Sequence, residues 1–197
     1  MPTLLLGTKN AGKIREIRAL LADLQLELLT WQECPFPEIA EDGLSCQENA
    51  LKKARQISAK TGLAVLADDA GLEVAALGGA PGVLSARYSG APAGEERDEQ
   101  NIAKLLQNLA GVTDRLARFV CVMVLHWPEG RELIATGELR GRIAERPRGQ
   151  NGFGYDPVFI PENYRRTLGE LGPAVKNSIS HRRRALEQLK AALKSGA

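Results

Sequence analysis

Histidine, cysteine and aromatic residues are scarce: the 197 residues include two His and three Cys, and Phe, Trp and Tyr together make up 5%. Two histidines, His126 and His181, are too few for a histidine-rich metal centre. The cysteines, Cys34, Cys46 and Cys121, are odd in number, widely spaced and without a CxxC pair, which argues against a disulfide framework and a zinc site. Reduced, partly buried thiols are expected. No apolar run reaches the length of a membrane span, so no membrane partner is expected. The first residues lack the basic start, long apolar middle and cleavage site of a signal peptide, so the protein is read as cytoplasmic. Nor is there an excess of one charge. Lys and Arg number 26 against 24 Asp and Glu, and a net charge of +2 does not build a duplex-binding surface, so no nucleic-acid partner is expected.

What is present is an ordinary globular mixture, 44% hydrophobic and 25% charged, without repeats or low-complexity segments. The length suits a single domain over 1–197 that buries about 70% of its unfolded surface. Leu4 to Leu6 read as a strand, followed by a polar turn and a helix periodic through Ile14, Ile17, Leu20, Leu21 and Leu24. Leu26 to Thr30 can form a second strand. Ser45 with Glu48 makes a capping box for a helix that Gly62 stops. Leu63 to Ala67 read as a buried strand ending at Asp68 and Asp69, followed by a Gly-rich, loop-rich stretch. A helix is expected over 96–109, a hairpin over 118–143 turning at Pro128 to Gly130, and a final helix from near Ser180 through Leu193, with a loose tail over 194–197. Strands that alternate with helices early and pair as a hairpin late imply an α/β fold, a mixed sheet flanked by helices.

Four places carry candidate chemistry. Gly7 to Lys13, GTKNAGK, nearly spell a P-loop, but Ile14 stands where a Ser or Thr would hold Mg²⁺. Such a turn still aims backbone N–H groups and a helix N-terminus at an anion, with Lys13 in the first turn. If the anion is a nucleotide polyphosphate, carboxylates elsewhere must hold the metal. The adjacent Asp68 and Asp69 are costly to bury unpartnered, which predicts a strand end facing a cleft. Mg²⁺ is commonly held by one or two carboxylates and by phosphates, and Glu41, in its own acidic loop, is the candidate second ligand. Phe153 and Tyr155 among the glycines of Asn151 to Pro157 resemble a base-binding loop, where stacking contributes roughly 1 to 3 kcal/mol. Lastly, Ser180 to Arg184 put cations in a helix first turn, against the dipole, so an anionic or carbonyl-rich group is expected to offset them, and Lys176 in the preceding loop adds a donor. Each also has a plain structural reading: a solvated lysine, a capped turn, core aromatics, a basic helix face.

Taken together, TKNAGK at 8–13, EDGLSCQENALKKA at 41–54, ADDAGLEVAALGGAPGVLSARYSG at 67–90, NGFGYDPVF at 151–159 and SHRRRAL at 180–186 resemble the inosine triphosphate pyrophosphatase family, the XTP/dITP diphosphatases. The match runs in family order over almost the whole chain. The resemblance implies a homodimeric cytoplasmic protein with an elongated mixed sheet and two lobes with a nucleotide cleft between them. It also implies Mg²⁺-dependent hydrolysis of dITP, ITP or XTP to monophosphate and pyrophosphate. A related pyrophosphatase of standard or modified nucleotides is the alternative. The implied phosphate loop is Thr8, Lys9, Asn10, Ala11, Gly12 and Lys13, with Lys13 catalytic. Asp69 is the implied proton acceptor and metal ligand. The implied base pocket draws on Phe153, Gly154, Tyr155, Asp156, Lys176, His181 and Arg182. Ala70 stands where the family usually has Ser, so only a backbone contact to substrate is implied there.

Overall fold

The computed structural model describes residues 2–92, 94 and 96–194; of the expected tail, 195–197 lie outside the described residues. Strand β1, Thr3–Leu6, leads to helix α1, Ala11–Leu20, which begins where Asn10, in an extended conformation, accepts from the Lys13 amide at 3.0 Å. The helix stops at Leu20 rather than continuing through Leu24, because the chain tightens into a turn in which the Leu24 amide donates to the Leu21 carbonyl at 2.9 Å. Strand β2, Glu27–Leu29, precedes helix α2, Cys46–Thr61. The Ser45 hydroxyl caps α2 by accepting from the Glu48 amide at 3.1 Å, while the Glu48 carboxylate accepts from Leu44 rather than from Ser45, so the capping box is displaced by one residue. Gly62, at φ 69°, closes the helix in the left-handed conformation.

Three further expectations are corrected. Strand β3 spans Val65–Val74 and runs straight through Asp68 and Asp69, so the pair lies mid-strand and not at a strand end. The start of the stretch read as loop, 70–74, continues β3 and pairs antiparallel with β4, Pro81–Gly82, while the remainder is largely turns; at Gly71 a Cβ would collide with the Gly82 carbonyl. Helix α3, Arg97–Asn108, strands β5, Leu116–His126, and β6, Glu132–Ile143, and the short strand β7, Phe159–Pro161, follow. Lys176 belongs to helix α4, Pro173–Ile179, and not to a loop. Pro173 at the first helical position has the φ a helix needs and no amide to leave unbonded, which starts this short helix. Helix α5 is His181–Lys194.

The hydrogen-bonded strand order is β2-β1-β3-β5-β6-β7, with β4 on β3. Strand β1 runs parallel to β2 and β3, while the β3–β4 and β6–β7 pairs are antiparallel, which gives the expected mixed sheet of an α/β fold. Contacts divide the chain into two compact units: Met1–Asp69 with Cys121–Gly137 and His181–Ala197, and Ala70–Val120 with Glu138–Ser180. Leu5, Ile57, Val65 and Val124 belong to the core of the first; Leu72, Leu105, Phe119 and Phe159 belong to that of the second. No described helix is long and apolar enough to cross a membrane.

Candidate active site

The first unit gathers charge around the Asp pair. Gly7 follows β1 so closely packed on β3 that a Cβ there would touch Val65 and Ala67 at 3.0 Å. Thr8 Oγ1 accepts from the Asn10 amide at 3.2 Å, and this local bonding shapes the turn that delivers Lys13. Lys13 Nζ lies 3.2 Å from Asp68 Oδ2. The same oxygen accepts from Arg182 Nε at 3.2 Å and Nη2 at 3.0 Å, while Arg182 Nη1 donates to Glu16. Asp68 and Arg182 are 0% and 1% exposed. Burial alone would raise the Asp68 carboxyl, but the cations Lys13, Arg182 and Lys53 outweigh it and hold the group well below the usual carboxylate range. The first-turn cation expected to need an anionic partner therefore has two. Cys121 lies beside this cluster with its thiol pushed up to about 12, chiefly by burial and then by Asp68, and is chemically quiet at neutral pH.

Asp69 has different neighbours. Its Oδ2 accepts from Asn49 Nδ2 at 3.0 Å, and its Oδ1 is 3.9 Å from Lys53 Nζ, which also bonds Glu41 Oε1 and the Asp68 carbonyl. Burial raises the Asp69 carboxyl above its ordinary value; Lys53 and Lys13 oppose this and Glu41 adds to it. Two neighbouring carboxylates are thus pushed apart, one firmly ionised and one more basic, the pattern that separates a structural anion from a proton acceptor. Glu41 feels burial most, but Lys53 reverses it and its carboxyl is lowered.

The donor set fits a hard divalent cation. Glu41 and Asp69 offer carboxylate oxygens around a shared ammonium, and the buried Asp68 Oδ1 has no hydrogen-bond partner among the described residues. No group of three or more acidic, His or Cys ligands occurs among the described residues. A pair of carboxylates suits an ion held by one or two carboxylates and completed by water and substrate.

In the second unit, Asp156 Oδ2 accepts from the Phe153 amide at 2.9 Å and from Lys176 Nζ, and Lys176 Nζ lies 4.4 Å from the centre of the Phe153 ring. Phe153 is half-buried, whereas Tyr155 sits in the core and donates its hydroxyl to the Ser85 carbonyl at 2.9 Å. The Gly154 amide donates to Asp98 Oδ2 at 2.7 Å. Phe153, Asp156 and Lys176 are therefore brought together in one unit, while Lys13, Glu41, Asp69, His181 and Arg182 belong to the other. Ala70 is partly exposed and begins the second unit.

Several partners escaped the sequence reading. Glu16 and Asn49 lie inside helices α1 and α2 at positions where polar residues ordinarily face water, yet are only 8% and 1% exposed. Asn49 lies four residues after the Ser45 cap, which puts it on the same helix face, and Lys53 follows Asn49 at the same spacing. That polar stripe was the available signal.

The Ham1 family model matches residues 4–192. A dITP/XTP pyrophosphatase of Lactiplantibacillus plantarum is 50% identical over 190 residues, covering 95% of this chain and 92% of the relative. One from Geobacter sulfurreducens is 49% identical and covers 96% of both chains. Among solved structures, a HAM1 protein from Coxiella burnetii superposes with a TM-score of 0.88 at 44% identity, covering 99% of this chain and all of the other. The family model and these relatives cover nearly the whole chain at high identity: the chain belongs to the Ham1 family.

Proposed function

We infer that this chain hydrolyses noncanonical purine nucleoside triphosphates, dITP, ITP and XTP, to the monophosphate and pyrophosphate. The observation that carries the reading is the split Asp68–Asp69 pair, one carboxylate locked by Lys13 and Arg182 and the other made basic, in a chain 50% identical to a dITP/XTP pyrophosphatase. The whole of 1–197 serves as a single catalytic domain in a cytoplasmic homodimer.

In the proposed reaction a water oxygen attacks the α-phosphorus, the bond between that phosphorus and the bridging oxygen breaks, and pyrophosphate leaves. Asp69 takes the proton from the attacking water. The turn from Thr8 to Gly12 and the start of α1 hold the phosphates with backbone donors, and Lys13 stabilises negative charge as it develops. Glu41 and Asp69 would hold Mg²⁺, which supplies neutralising charge on the phosphates. Asp68 and Arg182 anchor this machinery, with His181 beside them at the start of α5.

For the base, Phe153 supplies a stacking face and Lys176 a cation tethered by Asp156. Gly154 lets the backbone come close to the ligand, Tyr155 secures the loop in the core, and Ala70 offers its backbone. Hypoxanthine and xanthine carry an oxo acceptor where adenine carries an amine, so a donor such as Lys176 favours them. Phe153→Ala should raise KM for dITP by roughly 5- to 150-fold, the equivalent of losing about 1 to 3 kcal/mol of stacking, and leave inhibition by pyrophosphate unchanged. Equal effects on both would assign Phe153 to packing alone.

The direct test incubates the protein and Mg²⁺ with dITP, XTP, dATP, dGTP and dTTP and resolves the products by chromatography. Monophosphate and pyrophosphate from dITP and XTP, at rates well above the other three, are expected. Comparable cleavage of dGTP or dTTP would move the chain to a pyrophosphatase of standard or modified nucleotides, and release of a single phosphate would overturn the reaction.

A further inference from the structure

We propose that Asn49 is a positioning residue for hydrolysis, a clamp that fixes the Asp69 carboxylate and the Glu41 loop relative to one another. The proposal rests on the pyrophosphatase reading above and extends it to a side chain outside the proposed phosphate loop and base pocket. Asn49 lies in the first turn of α2 and is 1% exposed. Both ends of its amide are used within one unit. Nδ2 donates to Asp69 Oδ2 at 3.0 Å, and Oδ1 accepts from the Gly43 amide at 2.8 Å.

Gly43 lies two residues beyond Glu41, so one planar amide ties the strand that carries one proposed metal ligand to the loop that carries the other. The loop is shaped for this contact. A Cβ on residue 43 would stand 2.8 Å from Asn49 Oδ1 and 2.8 Å from Glu48 Cβ, so glycine is what allows the amide to approach. The helix fixes the other end, since the Asn49 amide donates to the Ser45 carbonyl at 3.1 Å, the capped first turn. An Asn has the required combination: a donor for a carboxylate and an acceptor for an amide on one rigid group. Aspartate has the same shape but presents an oxygen where Asp69 needs a donor. Alanine has neither end.

Groups that orient a metal-binding carboxylate typically change metal affinity or activity by about 10- to 100-fold when removed. Wild type, Asn49→Ala and Asn49→Asp are compared by melting temperature, by dIMP affinity and by steady-state dITP hydrolysis. Mn²⁺ affinity of the nucleotide-free protein, read from the free-ion paramagnetic resonance signal, is compared between wild type and Asn49→Ala. Asn49→Ala should lower kcat by about 10- to 100-fold and weaken Mn²⁺ binding by about 10-fold or more, with dIMP affinity kept. Asn49→Asp, nearly identical in shape, should fail to restore kcat.

Wild-type kcat in either variant overturns the proposal. So does a loss of kcat matched by an equal loss of dIMP affinity with Mn²⁺ affinity unchanged, which would make Asn49 a packing residue. Failure of the wild-type protein itself to release pyrophosphate from dITP would sink the functional reading instead.

Discussion

Asp69→Asn should reduce dITP turnover by roughly 10²- to 10⁴-fold, the range expected when a positioned proton acceptor is lost, while dIMP still binds within a few-fold of wild type. The substitution keeps the shape of the side chain and removes its basicity and charge. The neighbourhood explains why the effect should be confined to chemistry. Asp69 is not the group that neutralises Lys13 and Arg182; Asp68 is, through one oxygen that meets both cations. Asn at position 69 therefore leaves the buried Lys13–Asp68–Arg182 network intact, and the melting temperature should stay close to wild type. Retention of the wild-type rate would remove Asp69 from the reaction. A rate loss accompanied by an equal loss of dIMP binding would make it a ligand anchor instead.

Arg182→Met should be the most destabilising substitution considered, at about 3 to 5 kcal/mol, because it withdraws a guanidinium from two carboxylates deep in the first unit. For a chain of this size that corresponds to a fall in Tm of roughly 6 to 20 °C. Arg183→Met, one residue along, removes a half-exposed pair with Glu187 and should change stability by less than about 0.5 kcal/mol. Equal melting temperatures for the two variants would mean that the buried network contributes nothing. The same network predicts acid behaviour. The folded-state value of Asp68 is depressed, so its contribution is complete above the ordinary carboxylate value of 3.8 and is lost as pH falls below it towards the folded value. In the Met variant, with one of the depressing cations gone, that acid-dependent loss should be smaller.

Much of the fold follows from local chemistry that can be seen in the sequence. Ser45 and Gly62 mark both ends of α2 because a hydroxyl cap and a left-handed glycine act within a turn of their own residues. Asn10 works in the same way at the start of α1. The path of β3 was not legible. Two adjacent aspartates argue for a strand end only as long as their counter-ions are unknown, and here those ions come from Lys13 in α1 and from Arg182, 114 residues further on. Asn49 and Lys53 were hidden for a related reason. A polar residue in a helix reads as a solvated face until the element it packs against is known, and their partners lie on the 41–43 loop and on β3. Sequence order reveals caps and periods, but it does not reveal which charges neutralise one another across the core.

The contact between Lys13 and Asp68 makes the lysine a contested seat. In the proposed reaction an entering phosphate would not meet a bare ammonium; it would compete with a carboxylate that is tethered to the fold and so held at high effective concentration. Orthophosphate and other small anions, with a single group to offer, gain little from that exchange. A triphosphate engages several donors at once and can displace the tethered rival where they cannot. Once the chain of phosphates had been cut, each fragment would have fewer points of attachment and the carboxylate would reclaim its partner. In the proposed reaction the buried acid would thus act as a built-in eviction device that clears the phosphate loop between turnovers.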